Sequence, residues 1–431
     1  MDHSPPTAGP RSRRLSAPQD TAGQFPPQRR TQEKRGTMPQ EKIVIAEGAR
    51  TPVGRYGGAL MSLPAHELGA IAATAALERS GVDAQDVDEV IMGCVGQVGA
   101  DAYNARRVAL AAGVLPSATA LTVNRLCGSG LQAVWSAAQQ LRWGAAEIVL
   151  AGGDESMSRM PFLDFDSRAN GRLGNRTAVD GTLAMLTDPF SNKHMGVTAE
   201  NVAEKYGVSR AEQDEFALES QRRAATAAAR AAFAEEITPV KVLGRNPVTV
   251  TDDEHPRPDT TLASLASLHP AFLQDGSVTA GNASGVNDGA AAMVLMRENT
   301  LRERGLDALA TLEHVAVAGI DPALMGYAPA LALQKLFAET GLKPSDIGVV
   351  ELNEAFAAQA VAVIRDVGLD PETTNPYGGA IALGHPVGAT GAILALRVAK
   401  DLQRRGLELG IATLCIGGGQ AIAALFRRWD A

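Results

Sequence analysis

Short apolar runs alternate with stretches of helical periodicity along most of the chain. Lys42-Ile43-Val44-Ile45 reads as a strand, Ile71 to Ser80 as an Ala/Leu-rich helix stopped by Gly81, and Val90-Ile91-Met92-Gly93 as a buried strand. A further short strand ends near Asn124, after which Leu131, Val134, Trp135, Ala138 and Leu141 fall at helical spacing. Ile148-Val149-Leu150-Ala151 follows as a strand ending in Gly152-Gly153. Strands alternating with helices predict an α/β fold whose sheet is mainly parallel and covered on both faces.

The C-terminal third repeats this pattern. Gly81-Val82 and Asp86 recur at an offset of 260 as Gly341-Leu342 and Asp346, and Val90-Ile91 at 259 as Val349-Val350, each set preceded by a matching helix. The strand and double glycine at 148–153 answer a strand from Ala412 to Ile416 followed by Gly417-Gly418-Gly419. Ala421 to Arg427 then turns back at once as a hairpin, whereas its counterpart, Ala291 to Arg297, comes about 135 residues after Gly153. The first half is therefore interrupted by an insertion, which includes a Ser209-x-x-Glu212 capping box opening a long helix to about Ala234. Long insertions of this kind usually carry binding surface. The expected organisation is a tail over 1–37, a first half from 38–156 and 287–308, an inserted segment over 157–286, and a second half over 309–431.

Composition separates the tail from the rest. Residues 1–37 are rich in Pro, Arg, Ser, Thr and Gln with almost no large apolar side chains, so disorder is expected there. Their arginines resemble an organelle-targeting peptide, but the prolines spoil an amphipathic helix, and a non-native extension before a start at Met38 is the competing reading. The formal net charge of -8 argues against nucleic acid as the main partner. No apolar run is long enough to cross a bilayer. Three cysteines, Cys94, Cys127 and Cys415, are too few for a disulfide framework and fit a reducing, cytoplasmic setting.

Chemistry gathers at the strand ends. Cys127 lies in Leu126-Cys127-Gly128-Ser129-Gly130, just before a helix whose free N–H groups and dipole are expected to favour a thiolate. Taken alone it also reads as a buried structural cysteine. Gly384-His385-Pro386-x-Gly388 precedes a helix that is apolar nearly all round, and His385 follows Cys127 by 258 residues, close to the repeat offset. Pseudo-symmetry then sets the two at equivalent ends of adjacent halves, as a Cys–His pair. Asn353-Glu354-Ala355-Phe356 follows a strand, where Asn353 either holds a water or a carbonyl oxygen or simply forms the turn. Cys415-Ile416-Gly417-Gly418-Gly419 adds a thiol at a core strand end, equally readable as a small hydrophobe before a hairpin. No cysteine is spaced as a zinc-ligand pair, so no metal is expected.

These four motifs, in this order on a doubled core, resemble the thiolase family over about Lys42 to Arg428. The resemblance implies two pseudo-symmetric halves stacked as five layers, αβαβα, with an inserted loop domain that binds coenzyme A. It implies Cys127 as the acyl-carrying nucleophile, His385 as its activator, Cys415 as the acid/base, Asn353 with a water in one oxyanion hole, and the N–H groups of Cys127 and Gly417 in the other. Leu186, His194, Met195, Arg257, Ser264, Ala271, Phe272, Ser284 and Phe356 fall where the acetoacetyl-CoA-forming members touch their substrate. No tightly bound cofactor is implied; acetyl-CoA and coenzyme A are substrates, and the assembly expected is a homotetramer built from dimers. The reaction implied is the joining of two acetyl-CoA to acetoacetyl-CoA and its reverse, with breakdown of longer 3-oxoacyl-CoAs as the rival. Asp154 departs from the family pattern, which commonly has an uncharged residue there.

Overall fold

In the computed structural model the described residues are 41–430 apart from Asn170, Arg172 and Gly174, so the tail expected over 1–37 lies outside them. The first half runs β1 (Ile43–Arg50), α1 (Ala65–Ser80), β2 (Glu89–Gly93), α2 (Asn104–Ala111), β3 (Thr119–Val123), α3 (Ser129–Trp143) and β4 (Ile148–Ser156). Among shorter pieces, the following stretch carries α4 (Met195–Tyr206), α5 (Arg210–Ala224) and α6 (Ala227–Glu236), before β5 (Asn287–Arg297) returns to pair with β4. The second half runs β6 (Ala310–Gly319), α7 (Ala328–Thr340), β7 (Val349–Leu352), α8 (Ala357–Val367), α9 (Val387–Arg405), β8 (Leu409–Ile416) and β9 (Gln420–Arg428).

Strand order repeats as well as sequence. The first half is ordered β3-β2-β4-β5-β1 and the second β7-β8-β9-β6, with Val350 bridging Thr374 where the second half would have its fifth strand. Val44 opposite Thr311 and Ile45 opposite Ala310 join the halves at β1 and β6. The expectation of a mainly parallel sheet is corrected. Parallel pairing is confined to β2 with β3 and β4, and to β7 with β8; the other main-sheet pairings are antiparallel. The cause is local: β9 turns straight back on β8, and β5 re-enters beside β4, and neither return needs a crossover helix. The single helix expected from Ser209 to about Ala234 is also corrected. It breaks after Ala224, because the Thr226 side chain accepts from Ala229 N–H and caps a new helix.

Alternation along each strand builds the layers. Ile43 and Ile45 of β1, Val149 and Ala151 of β4, and Ile422, Ala424 and Phe426 of β9 all face one core containing α3 and α9. Their neighbours face outward: Val44, Ile148 and Leu150 against α1 and α2, and Ala421, Ala423 and Leu425 against α7 and α8. Strands covered on both faces are apolar throughout, and the result is the five-layer αβαβα stack.

The two central helices meet at their N-termini, backbone against backbone. A Cβ on Gly130 would lie 2.6 Å from the Ala392 nitrogen, and one on Gly391 would lie 2.4 Å from the Leu131 nitrogen, so only glycine permits the contact at either position.

A buried ion network fastens the inserted segment to both halves. Arg50 of β1 bonds Glu236 of α6 at 2.7 Å and Asp253 at 2.7 and 3.0 Å, while Arg397 of α9 reaches Glu236 at 3.3 Å and Glu351 at 3.5 Å. Both guanidinium groups also lie against the Phe233 ring of α6, Arg50 at 5.3 Å and Arg397 at 5.0 Å from its centroid. Burial alone would raise the Glu236 carboxyl, but Arg397 and Arg50 overcome it and hold the group at about 2. A carboxyl held below its unfolded value contributes stability above the ordinary carboxylate range and loses it as pH falls toward about 2. Replacing Glu236 with Gln leaves two buried guanidinium groups short of a counter-charge and is expected to cost about 3–5 kcal/mol. Chemical denaturation at neutral pH reads this, and a loss under about 1 kcal/mol would show the network to be energetically idle.

Candidate active site

Cys127 sits two residues before α3 and His385 two residues before α9, so the repeat and the glycine contact together bring them to one place. The Cys127 turn is tight and strained. Leu126 adopts φ 47°, Gly128 N–H donates to Arg125 O at 3.0 Å, and Ser129 Oγ both donates to Leu126 O and accepts from Arg125 N–H. His385 is fixed from the other half. Its N–H donates to Asn287 Oδ1 at 2.9 Å, and Gly384, at φ 94°, has the Asn287 side chain where a Cβ would stand. Its Nδ1 lies 2.6 Å from Thr390 Oγ1, and its Nε2 lies 3.5 Å from Asn353 Nδ2.

These residues open on a pocket of about 400 Å³ that is mostly apolar. It takes in Cys127, His385, Cys415, Gly417, Leu186, His194, Met195, Arg257, Ala271, Phe272, Ser284 and Phe356. The insertion supplies one wall: His194 stacks on Phe272 with centroids 4.6 Å apart, and Phe272 meets Phe356 edge-on at 6.1 Å. His194 Nδ1 accepts from Gly196 N–H at 3.0 Å, which leaves its Nε2 to carry the proton. Arg257 is exposed at the mouth.

Two of the sequence-derived residues stand elsewhere. Asn353 is buried beside the Nε2 of His385 and borders a separate cavity of about 20 Å³, room for one water. Its Oδ1 has no hydrogen-bond partner among the described residues. Ser264 is exposed and does not line the pocket; its hydroxyl donates to Thr261 O at 2.8 Å and caps a short helix. Sequence reading missed His255, Met325 and Leu126, which line the pocket, and Asn287 and Thr390, which hold His385. The Gly-His-Pro spacing that marked His385 carries Thr390 within the same helix turn, so that signal was present.

Electrostatically the pocket floor is neutral. Burial raises the Cys127 thiol to about 11, although N–H groups of Gly417 and of Cys127 itself bond the sulfur and pull the other way. The expected thiolate is thereby corrected: a helix dipole contributes about 0.3–1 kcal/mol, less than desolvation of the sulfur costs. Burial lowers His385 to about 4, keeping the ring neutral, and burial followed by the charge of Cys127 pushes Cys415 well up. Glu155, raised to about 7 by burial, accepts N–H from Val95, Gly96 and Gly388 and so braces the His385 turn. Asp154 does not line the pocket. Burial, then Glu155, raises it to about 8, and its carboxyl bonds Asn104 at 2.8 Å in a space left by Gly69. Glu354 bonds Ser220, Asn375 and the Ile381 N–H, which pins the Asn353 loop to α5.

Residues 43–299 match the thiolase N-terminal domain and residues 306–428 the thiolase C-terminal domain. The chain is 48% identical over 390 residues to beta-ketothiolase BktB of Cupriavidus necator, covering 90% of this chain and 99% of that one. It is 48% identical over 393 residues to an acetyl-CoA acetyltransferase of Rhizobium meliloti, covering 91% and 100%. Among solved structures, the Bacillus anthracis acetyl-CoA acetyltransferase superposes with a TM-score of 0.88 at 43% identity, covering 90% and 99%. Human mitochondrial 3-ketoacyl-CoA thiolase in complex with CoA superposes with 0.87 at 41% identity, covering 90% and 98%.

The raised thiol has a direct readout. Alkylation of Cys127 by iodoacetamide, followed by mass spectrometry, is expected to keep accelerating with pH to about 11. A plateau already reached at pH 8 would mean that an ion pair with His385 forms instead.

Proposed function

The chain belongs to the thiolase family, and from that premise we propose that this acyltransferase joins two acetyl-CoA into acetoacetyl-CoA and CoA, and runs the reverse, through an acetyl group on Cys127. What carries the reading is the convergence of Cys127, His385, Cys415 and the Gly417 N–H on one pocket floor. Cys127 passes its proton to His385 as the sulfur attacks the thioester carbonyl, and the departing CoA thiolate takes a proton from Cys415. Cys415, now a thiolate destabilised by burial, is a base strong enough for the methyl of a second acetyl-CoA. The enolate oxygen faces protonated His385, whose Nε2 lies 3.5 Å from the Asn353 side-chain nitrogen. Its carbon attacks the acetyl group, whose oxygen faces the N–H groups of Cys127 and Gly417, and collapse returns the His385 proton to Cys127.

In the same reading the inserted segment, 157–286, holds coenzyme A, with His194, Met195 and Phe272 along the pantetheine arm and Arg257 and Ser264 toward the nucleotide. A second reading, breakdown of longer 3-oxoacyl-CoAs, is supported by an adjoining chamber of about 500 Å³. Val95, Met160, Leu163 and Phe190 line it, and it shares Leu126, Met185, Met195 and Gly417 with the catalytic pocket. The homotetramer reading is supported by the open edge of β3 near exposed Leu121 and Trp143, and by exposed Phe162, Phe165 and Phe190; light scattering measures it. Few cysteines support a cytoplasmic setting.

Mass spectrometry after incubation with acetyl-CoA is expected to find acetyl on Cys127, and its absence there would refute the mechanism. Cys415→Ser should still acetylate while condensation falls on the order of 10²–10⁴-fold; an undiminished condensation rate would remove Cys415 from its role. Thiolysis rates across a series of 3-oxoacyl-CoAs are expected to peak at acetoacetyl-CoA, and a maximum at longer chains favours the second reading.

A further inference from the structure

We infer that Thr390 sets the tautomer of His385, making Nε2 the bare nitrogen that receives the Cys127 proton. The inference rests on the reading of Cys127 and His385 as a nucleophile–base pair. Thr390 stands in the first turn of α9, buried with the histidine, its Oγ1 2.6 Å from His385 Nδ1 and 2.9 Å from Pro386 O. A threonine hydroxyl has one proton to give and can accept, whereas a carbonyl oxygen only accepts. Two oxygens 2.9 Å apart attract only with a proton between them, so the hydroxyl proton points at Pro386 O. The lone pairs of Oγ1 then accept from His385, and Nδ1 carries the ring's N–H.

The buried ring is neutral and has one N–H to place, so Nε2 is left unprotonated. The turn that carries the ring is held at its backbone. Asn287 Oδ1 holds the His385 N–H at 2.9 Å, and the Asn287 side chain fills the space beside Gly384. Gly388, three residues on, is held through its N–H by Glu155 at 2.9 Å. Thr390 touches no reacting atom in this arrangement; it is a positioning residue, acting through the imidazole.

Thr390→Val keeps the shape and removes the acceptor, while Thr390→Ser keeps the acceptor. With iodoacetamide as the probe at pH 7.5, Thr390→Val is expected to slow alkylation of Cys127 roughly 10–100-fold and Thr390→Ser to restore it nearly fully, the size of a general-base contribution at the low end of its range. In turnover the loss should fall on kcat with KM for acetyl-CoA unchanged. Alkylation in Thr390→Val at the unaltered rate, or no recovery in Thr390→Ser, overturns the inference. Because alkylation needs no acyl-CoA, its outcome is separate from whether Cys127 carries acetyl. Should Thr390→Val fail to fold, nitrogen NMR of the ¹⁵N-histidine-labelled unaltered protein reads the tautomer directly, with the His385 signal assigned by His385→Asn. A proton on Nδ1 supports the inference, and one on Nε2 refutes it.

Discussion

The backbone contact between α3 and α9 is the constraint on which the rest of the molecule depends. Gly130 and Gly391 admit each other's helix to within a distance that any side chain would prevent. Helix packing through side chains holds axes 8–10 Å apart, and at that spacing the residues preceding the two helices would not face each other closely. Here the two N-termini nearly touch, and the loops leading into them deliver Cys127 and His385 to one pocket floor. Gly153 of β4 shares the contact, since a Cβ there would lie 2.2 Å from Gly388 O. The sheet, both helices and both halves are thereby locked around the same point.

The chemistry that the contact assembles is one of withheld charge. Cys127, His385 and Cys415 are all held neutral by burial, and the donors aimed at the sulfur are backbone N–H groups that cannot titrate. Such a floor spends little on stabilising the resting thiol and keeps its dipoles for charge that develops during reaction. The carboxyls near it, Glu155 and Glu354, are absorbed by backbone and side-chain donors, and serve to hold the His385 turn and the Asn353 loop.

Much of this was legible in the residues, and the misses have physical causes. The repeat offset located the paired helices and brought Cys127 and His385 to one pocket, because equivalent positions in a doubled fold occupy equivalent places. The strand directions were not legible, since β5 and β4 look alike as apolar runs whichever way they point, and only the route through the insertion decides. The break at Thr226 hides in a sequence rich in alanine, where helix propensity is uniform and one capping hydroxyl is decisive. The neutral thiol at Cys127 is not legible in its motif, because the helix that follows is local while the desolvation that outweighs it is set by the whole fold. Asn287 was invisible because it is 98 residues from the His385 N–H that it accepts.

The contact of Glu236 and Phe233 with both Arg50 and Arg397 ties the inserted segment to two distant parts of the chain. Arg50 belongs to the first strand and Arg397 to a helix nearly the whole chain away, and Glu236 with Phe233 needs both. Neither half alone offers the inserted segment a complete seat. The inserted segment is therefore anchored at α6 by both halves at once, so a change that loosens either half is passed to the segment that also supplies His194 and Phe272 to the pocket wall.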